Sequence, residues 1–304
     1  MRIAILGATS QLASDLILRL KSRPYSLTLF SRRPQDVAIW AVRHGLDAPS
    51  LGYDDLAGGS YDALLNFVGV GNPARAAEMG RQIFEVTQHY DQLCLRYCQD
   101  HPNCRYVFLS SGAVYGDAFS QPVTHQSSAI IPINAFGPSN HYAAAKLYAE
   151  CVHRSLPDRP IIDVRVFNYI SDSLDIESRF FIADILRAIR NGETLRTTDQ
   201  PMVRDFLHVE DFAALITALL SAAPANMAVD CYSAAPISKQ ELLALMQDTF
   251  GLQYQIVPRP DVINASGDKP FYYSKNRQAE IFGYQPSRTS AAAILEEARK
   301  ILMR

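Results

Sequence analysis

Short aliphatic or β-branched runs alternate with stretches of helical period through the first half of this 304-residue chain, and that rhythm predicts a doubly wound α/β fold. Three observations carry the prediction. The runs at 3–6, 27–30, 63–68, 106–110 and 161–167 are mainly aliphatic, aromatic or β-branched, as strands covered on both faces of a parallel sheet are. Segments of helical period separate them at 12–20, 74–97 and 139–154. After Asn168 the alternation stops: helical stretches at 180–190 and 209–220, scattered short strands, a turn-rich segment at 258–270 and an amphipathic helix at 290–302 predict a smaller mixed α/β domain. The expected boundary divides 1–168 from 169–304, with some later segments returning to the core. The expected site is the cleft between them, outside the carboxyl ends of the parallel strands.

Composition narrows the partners. Lys+Arg 29 against Asp+Glu 31 leaves a net charge of −2, which offers no basic field for a nucleic acid or an anionic membrane. Hydrophobic content of 48% with 20% charged excludes a disordered or fibrous chain. The five cysteines, Cys94, Cys98, Cys104, Cys151 and Cys231, form no CxxC pair, so buried free thiols in a reducing compartment are expected, and no metal. The apolar run before Gly7 is too short for a secretory signal, and no run approaches the ~20 apolar residues of a membrane span. A cytoplasmic location is therefore expected, and Asn264-Ala265-Ser266 matches a glycosylation sequon in a context that is not secretory.

The chemistry begins at the first strand end. Gly7-Ala8-Thr9-Ser10-Gln11-Leu12-Ala13 runs from strand to helix within a few residues, the geometry that turns backbone N–H groups toward a pyrophosphate. Ser10 and Ala13 stand at the second and third glycine places of the usual fingerprint, so the segment alone is equally a tight strand-to-helix turn. Gly7, Thr9, Ser10, Gln11 and Leu12 are the candidate contacts. The second strand ends in Ser31-Arg32-Arg33, where a reader of a ribose 2′-hydroxyl would place a carboxylate. Two guanidinium groups and a hydroxyl suit a 2′-phosphate instead, which makes NADP the expected cofactor ahead of NAD. Asp55, with Asp54 as its rival, is the candidate for the adenine edge. Val68, Gly69 and Gly71 close the fourth strand with little side chain, so the backbone there can approach a cofactor.

Reactive groups follow. Tyr142 and Lys146 are four apart in helical text and project from one face. An ammonium near a phenol favours the phenolate, and such a tyrosine can exchange a proton with a carbinol oxygen. Ser111, in Ser110-Ser111-Gly112-Ala113-Val114-Tyr115-Gly116, stands at a strand end where a hydroxyl can bind the same oxygen. Each of these is also an ordinary feature of helices and turns.

Together they are not ordinary. The Gly7 turn, Ser111 through Gly116 and Tyr142-Ala143-Ala144-Ala145-Lys146 resemble the extended short-chain dehydrogenase/reductase superfamily, in its NAD(P)-dependent nucleotide-sugar epimerase/dehydratase/reductase branch. Arg165-Val166-Phe167-Asn168, Arg204 through Asp211, Gly267-Asp268-Lys269-Pro270 and Phe282 through Pro286 resemble its later landmarks. The resemblance implies a Rossmann-type dinucleotide domain followed by a substrate domain. It implies Tyr142 as acid/base, Lys146 on the nicotinamide ribose, Ser111 orienting the reacting oxygen, and Asn168 and Arg204 on a nucleotide sugar, Arg204 at its pyrophosphate. His208 and Asp211 share that signature, and a structural histidine and a helix-capping carboxylate are the readings taken for them. The family's dehydratases carry an Asp-Glu pair where this chain has Gly112-Ala113, so dehydration is not expected. Tyr169-Ile170-Ser171-Asp172-Ser173 replaces the family's Tyr-Gly-Pro, which implies a rebuilt substrate loop. The arginine that often precedes the Gly-Asp-x-Pro landmark is absent, with Arg259 and Lys269 as substitutes.

The expected function is hydride transfer at C4 of a nucleotide-linked sugar, with NADP tilting the choice toward 4-keto reduction over 4-epimerisation. The alternative is a catalytically silent dinucleotide-binding sensor or scaffold. Segments 74–97 and 139–154 could pair across a homodimer as four helices, as the resemblance implies, or lie buried in a monomer.

Overall fold

The computed structural model describes residues 1–70, 76, 78–258 and 269–303. Gly71, Arg259, the sequon at Asn264 and the landmark residues Gly267 and Asp268 lie outside the described residues. The first half alternates as expected: β1 (Arg2–Leu6), α1 (Gln11–Leu20), β2 (Ser26–Phe30), α2 (Pro34–Arg43), β3 (Ser50–Leu51), β4 (Ala63–Asn66), α3 (Gln82–Asp100), β5 (Arg105–Ser111), α4 (Pro138–Arg154) and β6 (Ile161–Val166). The second half is mixed: β7 (Asn168–Ile170), α5 (Phe181–Asn191), β8 (Thr194–Thr197), β9 (Val203–Arg204), β10 (Phe206–His208), α6 (Val209–Ser221), β11 (Met227–Asp230), β12 (Ile237–Ser238), α7 (Lys239–Phe250), β13 (Gln253–Ile256), β14 (Phe271–Tyr272) and α8 (Ser290–Leu302).

A seven-stranded sheet in the order β11-β6-β5-β4-β1-β2-β3 forms the centre. Its pairs are parallel, with Ile3 opposite Leu27 on one side and Ala63 on the other. The strand order reverses at β1, between β2 and β4, so the Gly7 turn opens at the topological switch point where doubly wound sheets bind ligands. Apolar residues of α1 (Ala13, Leu16, Ile17, Leu20) and α6 (Leu215, Ile216, Leu219) cover one face of the sheet. Cys94, Leu95 and Cys98 of α3 and Ala149 of α4 cover the other. A second core joins Ile185 and Leu186 of α5, Leu242 and Met246 of α7, and Ile294 and Ala298 of α8.

Two helices were not anticipated. α2 begins on Pro34, whose fixed φ suits a first turn. α7 carries a complete capping box, with Ser238 accepting from the Glu241 N–H and Glu241 accepting from the Ser238 N–H. That short amphipathic stretch lies where only scattered strands were expected. β4 stops at Asn66, two residues before the expected end, because the Asn66 side chain accepts the Val68 N–H at 3.0 Å and turns the chain out of the sheet. Four cysteines are buried as expected, but Cys151 is exposed, because it lies on the outer side of α4. No described helix is long and apolar enough to cross a membrane.

Candidate active site

The Gly7 turn is closed by backbone contacts. Gly7 has φ +76°, and a Cβ there would lie 2.8 Å from the Phe67 carbonyl carbon and the Val68 nitrogen, forcing the ends of β1 and β4 apart. The N–H groups of Gly7 and Ala8 donate to the Phe30 carbonyl at 3.0 and 3.2 Å, and Ser10 caps α1 by accepting the Ala13 N–H. The first-turn N–H groups of α1 thus face the switch point, an arrangement that fits a pyrophosphate. Thr9 lies exposed on this turn, and Gln11 and Leu12 reach the cavity described below.

Around this turn the other candidates divide. Gly69 stands beside Lys146, since a Cβ there would lie 3.6 Å from Nζ. Ser31 is buried and accepts the Arg33 N–H at 3.2 Å, so its oxygen is turned onto its own backbone. Arg32 and Arg33 are exposed, and Arg33 pairs with exposed Asp36 at 3.3 Å across the first turn of α2. Exposed Asp55 accepts the Gly52 N–H at 3.2 Å in a cap of its own turn. Tyr53, which the sequence reading missed, packs against Tyr90, their tilted rings 4.6 Å apart between centres. Burial pushes its phenol up to about 12, and the Gly7 backbone pulls against that shift.

A cavity of about 440 Å³ opens at the carboxyl ends of β5 and β6, and it brings Ser111, Tyr142, Asn168 and Arg204 together. Tyr142 comes from the first half of α4 and Ser111 from the last residue of β5. The Ser111 hydroxyl accepts the Ala113 N–H at 3.1 Å and lies 3.5 Å from the Tyr272 hydroxyl. Tyr272, on β14, is a wall residue that nothing in the local sequence announced. Lys146 stands behind the wall: its Nζ donates to the Leu109 carbonyl at 2.7 Å and lies 4.3 Å from the Phe108 ring centre. Burial lowers Lys146 to about 8 against the pull of Asp91, Asp163 and Glu150. The expected lowering of the Tyr142 phenol by Lys146 is not what the geometry shows. Burial raises that phenol and only Ser111 opposes it, because the ammonium is directed to a strand carbonyl.

Two cations line the far side of the cavity. Arg204 is 3% exposed and donates to the carbonyls of Val203 and Lys269 at 2.9 and 2.7 Å; burial lowers it to about 10. Lys269 Nζ lies 5.0 and 5.3 Å from the ring centres of Phe119 and Tyr272. Among the described residues no carboxylate reaches it at ion-pair distance, and burial lowers its pKa. Asn168 donates to the Asp205 carbonyl at 3.1 Å while lining the cavity.

His208 is fully buried: Nδ1 accepts the Glu210 N–H at 3.2 Å and caps α6, which leaves the Nε2 proton for Glu297 at 2.9 Å. The helix cap expected of Asp211 is therefore made by His208. Asp211 instead accepts from the N–H groups of Ser287 and Arg288, because its side chain faces the turn before α8. Tyr115 is also structural, donating to Asp230 at 2.9 Å and accepting from Arg165 at 2.8 Å.

Residues 3–231 match the model of the NAD dependent epimerase/dehydratase family. The chain belongs to that family. This epimerase/dehydratase member is 27% identical over 207 residues to a GDP-6-deoxy-D-mannose reductase from Pseudomonas aeruginosa, across 63% of this chain and 65% of that protein's length. Its fold is similar to that of a UDP-glucose 4-epimerase from Bifidobacterium longum in complex with NAD+ and UDP, with a TM-score of 0.76 and 17% identity over 99% of this chain and 97% of that one. It is similar also to a UDP-glucose-4-epimerase from Stenotrophomonas maltophila with bound NAD and formylated UDP-arabinopyranose, with a TM-score of 0.80 and 18% identity over 100% and 98%.

These findings overturn the expectation of NADP. The matching family is described as NAD dependent and both of those structures hold NAD. The physical reason lies in the loop itself: Arg33 is engaged with Asp36 on the surface and the Ser31 oxygen faces its own backbone.

Proposed function

We propose that this protein uses NAD to move a hydride at C4 of a hexose carried on a nucleoside diphosphate. The observation that carries the reading is one cavity holding the Ser111 and Tyr142 hydroxyls together with the Arg204 and Lys269 cations. The Gly7 turn with Thr9 through Leu12 would hold the cofactor's pyrophosphate, Asp55 its adenosine end, and Val68, Gly69, Tyr142 and Lys146 its nicotinamide end. When bound, the cofactor would accept the hydride as NAD+ or supply it as NADH. Tyr142 then gives a proton to the C4 oxygen in reduction, or removes one in oxidation, with Ser111 fixing that oxygen by a hydrogen bond. Arg204 and Lys269 would meet the diphosphate, for which buried cations are suited.

Dehydration is disfavoured by shape. A Cβ on Gly112 would lie 2.3 Å from the Phe167 ring, so the place of a dehydratase acid is filled. Between the remaining chemistries, the curated reductase relative favours 4-keto reduction. The test incubates the purified protein with UDP-glucose and with GDP-4-keto-6-deoxy-mannose plus NADH. A reductase consumes NADH in proportion to product, an epimerase interconverts sugars with none consumed, and failure of both overturns the reading. Tyr142→Phe should keep NAD affinity and lower turnover by about 100- to 10,000-fold; an unchanged rate removes Tyr142 from its role.

A further inference from the structure

The segment that follows Asn168 is bound to the dinucleotide helix by a closed set of side-chain hydrogen bonds. Asp15 Oδ2 accepts from the Tyr169 hydroxyl at 2.8 Å and from the Ser173 hydroxyl at 2.8 Å. Ser173 and Ser171 share a hydrogen bond at 2.9 Å, and the Gln11 amide donates to Ser171 at 3.3 Å. Gln11 and Asp15 are one turn apart on α1, so both bonds leave the same helix face. Tyr169, Leu174 and Gln11 also line the cavity. Thus one helix carries the turn assigned to the cofactor at its start and the anchor of a cavity wall one turn later.

Stability alone does not account for Asp15. The residue is 3% exposed, has no ion-pair partner among the described residues, and meets hydroxyl donors. A buried carboxylate without a cation partner is costly, and an apolar side chain would not carry that cost. What the carboxylate does that an apolar group does not is draw two hydroxyls to one oxygen and so fix where Tyr169 and Ser173 stand.

We infer that Asp15 is a positioning residue for the substrate: it holds the Tyr169–Leu174 wall in register with α1, so that affinity for the nucleoside diphosphate, and not for NAD, depends on it. The inference rests on the functional reading above. Ring contact between Tyr169 and Phe212, at 5.9 Å between centres, supports the wall from the other side but leaves its height along α1 to the hydrogen bonds.

The test measures NAD binding by fluorescence titration and GDP and UDP binding by calorimetry, for wild type, Asp15→Leu, Asp15→Asn and Ser173→Ala. Asp15→Leu should raise the dissociation constant of whichever diphosphate binds by at least fivefold, with NAD affinity within twofold of wild type. Asp15→Asn, which retains an acceptor oxygen, should restore most of that loss. Ser173→Ala removes one donor and little bulk, and should shift the diphosphate by about threefold in the same direction, so the inference stays testable if the leucine variant does not fold. Diphosphate affinities equal to wild type in Asp15→Leu or Ser173→Ala, or parallel loss of NAD and diphosphate, would overturn it. A wild-type protein that binds NAD but neither diphosphate sinks the functional reading first, and this inference with it.

Discussion

Two regions of the molecule bury cations, and they settle them differently. Behind the sheet, His153 is fully buried between Asp91 at 2.8 Å and Asp163 at 2.6 Å, and Tyr106 donates to the same Asp91 oxygen at 2.7 Å. Close by, Arg165 forks onto Glu150 at 3.0 and 3.1 Å and reaches Asp230 at 3.4 Å, while Ser274 donates to Asp230 at 2.6 Å. In the cavity, by contrast, Arg204 donates to two backbone carbonyls and Lys269 lies over rings. The first region is an internally neutralised brace and needs nothing from outside. The second places two cations on a cavity wall, where a ligand can meet them. A third pair, Arg32 and Arg33, is exposed and lies in neither class.

The contrast is most sharply tested by removing a braced cation. Arg165→Met strands Glu150 and Asp230 without their guanidinium, and should destabilise the fold by about 3–5 kcal/mol in urea unfolding. A loss under 1 kcal/mol would mean that the brace is decorative. Next comes the pH dependence of His153. Burial pulls its imidazolium down, but the hydrogen bonds to Asp163 and Asp91 outweigh that and push it up to about 9, above the unfolded value near 6.5. Its stabilisation is therefore complete below about pH 6.5 and is lost as pH rises through 9, in total about 3 kcal/mol. Unfolding midpoints at either end of that window should diverge in wild type and converge in His153→Gln; equal slopes would show that His153 is not the titrating group.

Cavity cations should behave in the opposite way, mattering for ligand more than for fold. Arg204→Ala should raise the dissociation constant for a free nucleoside diphosphate at least tenfold while NAD affinity stays within twofold. If binding is unchanged for GDP, UDP and dTDP with the variant folded, the wall is not a diphosphate site. The smallest effect belongs to the exposed pair: Arg32→Ala with Arg33→Ala should alter NAD affinity by less than twofold, because a solvated ion pair contributes little. A tenfold loss of NAD binding would move these arginines into the site.

Much of the site could be read locally. The Gly7 turn followed by a helix and the four-residue spacing of Tyr142 and Lys146 placed a glycine at positive φ and a phenol on the cavity wall. Ser111 was readable as a strand end. Reading failed where the deciding contact lies far along the chain. Tyr272 reaches Ser111 across 161 residues, and Asp211 meets Ser287 across 76. The two arginines after β2 looked like a phosphate reader because the sequence shows their charge and not that Asp36 sits one helical turn away from Arg33 in ion-pair reach.

By itself, then, the sequence determined the strand–helix alternation of the first half, apart from α2, and the turn that opens at the end of β1, since backbone geometry over a few residues sets hydrophobic period, caps and glycine conformations. Only the tertiary structure decided which charges are buried against partners and which line the cavity, and how the segment after Asn168 is anchored to α1. Those outcomes depend on desolvation and on neighbours brought in from distant strands, and a side chain's charge acquires its meaning only once its surroundings are fixed.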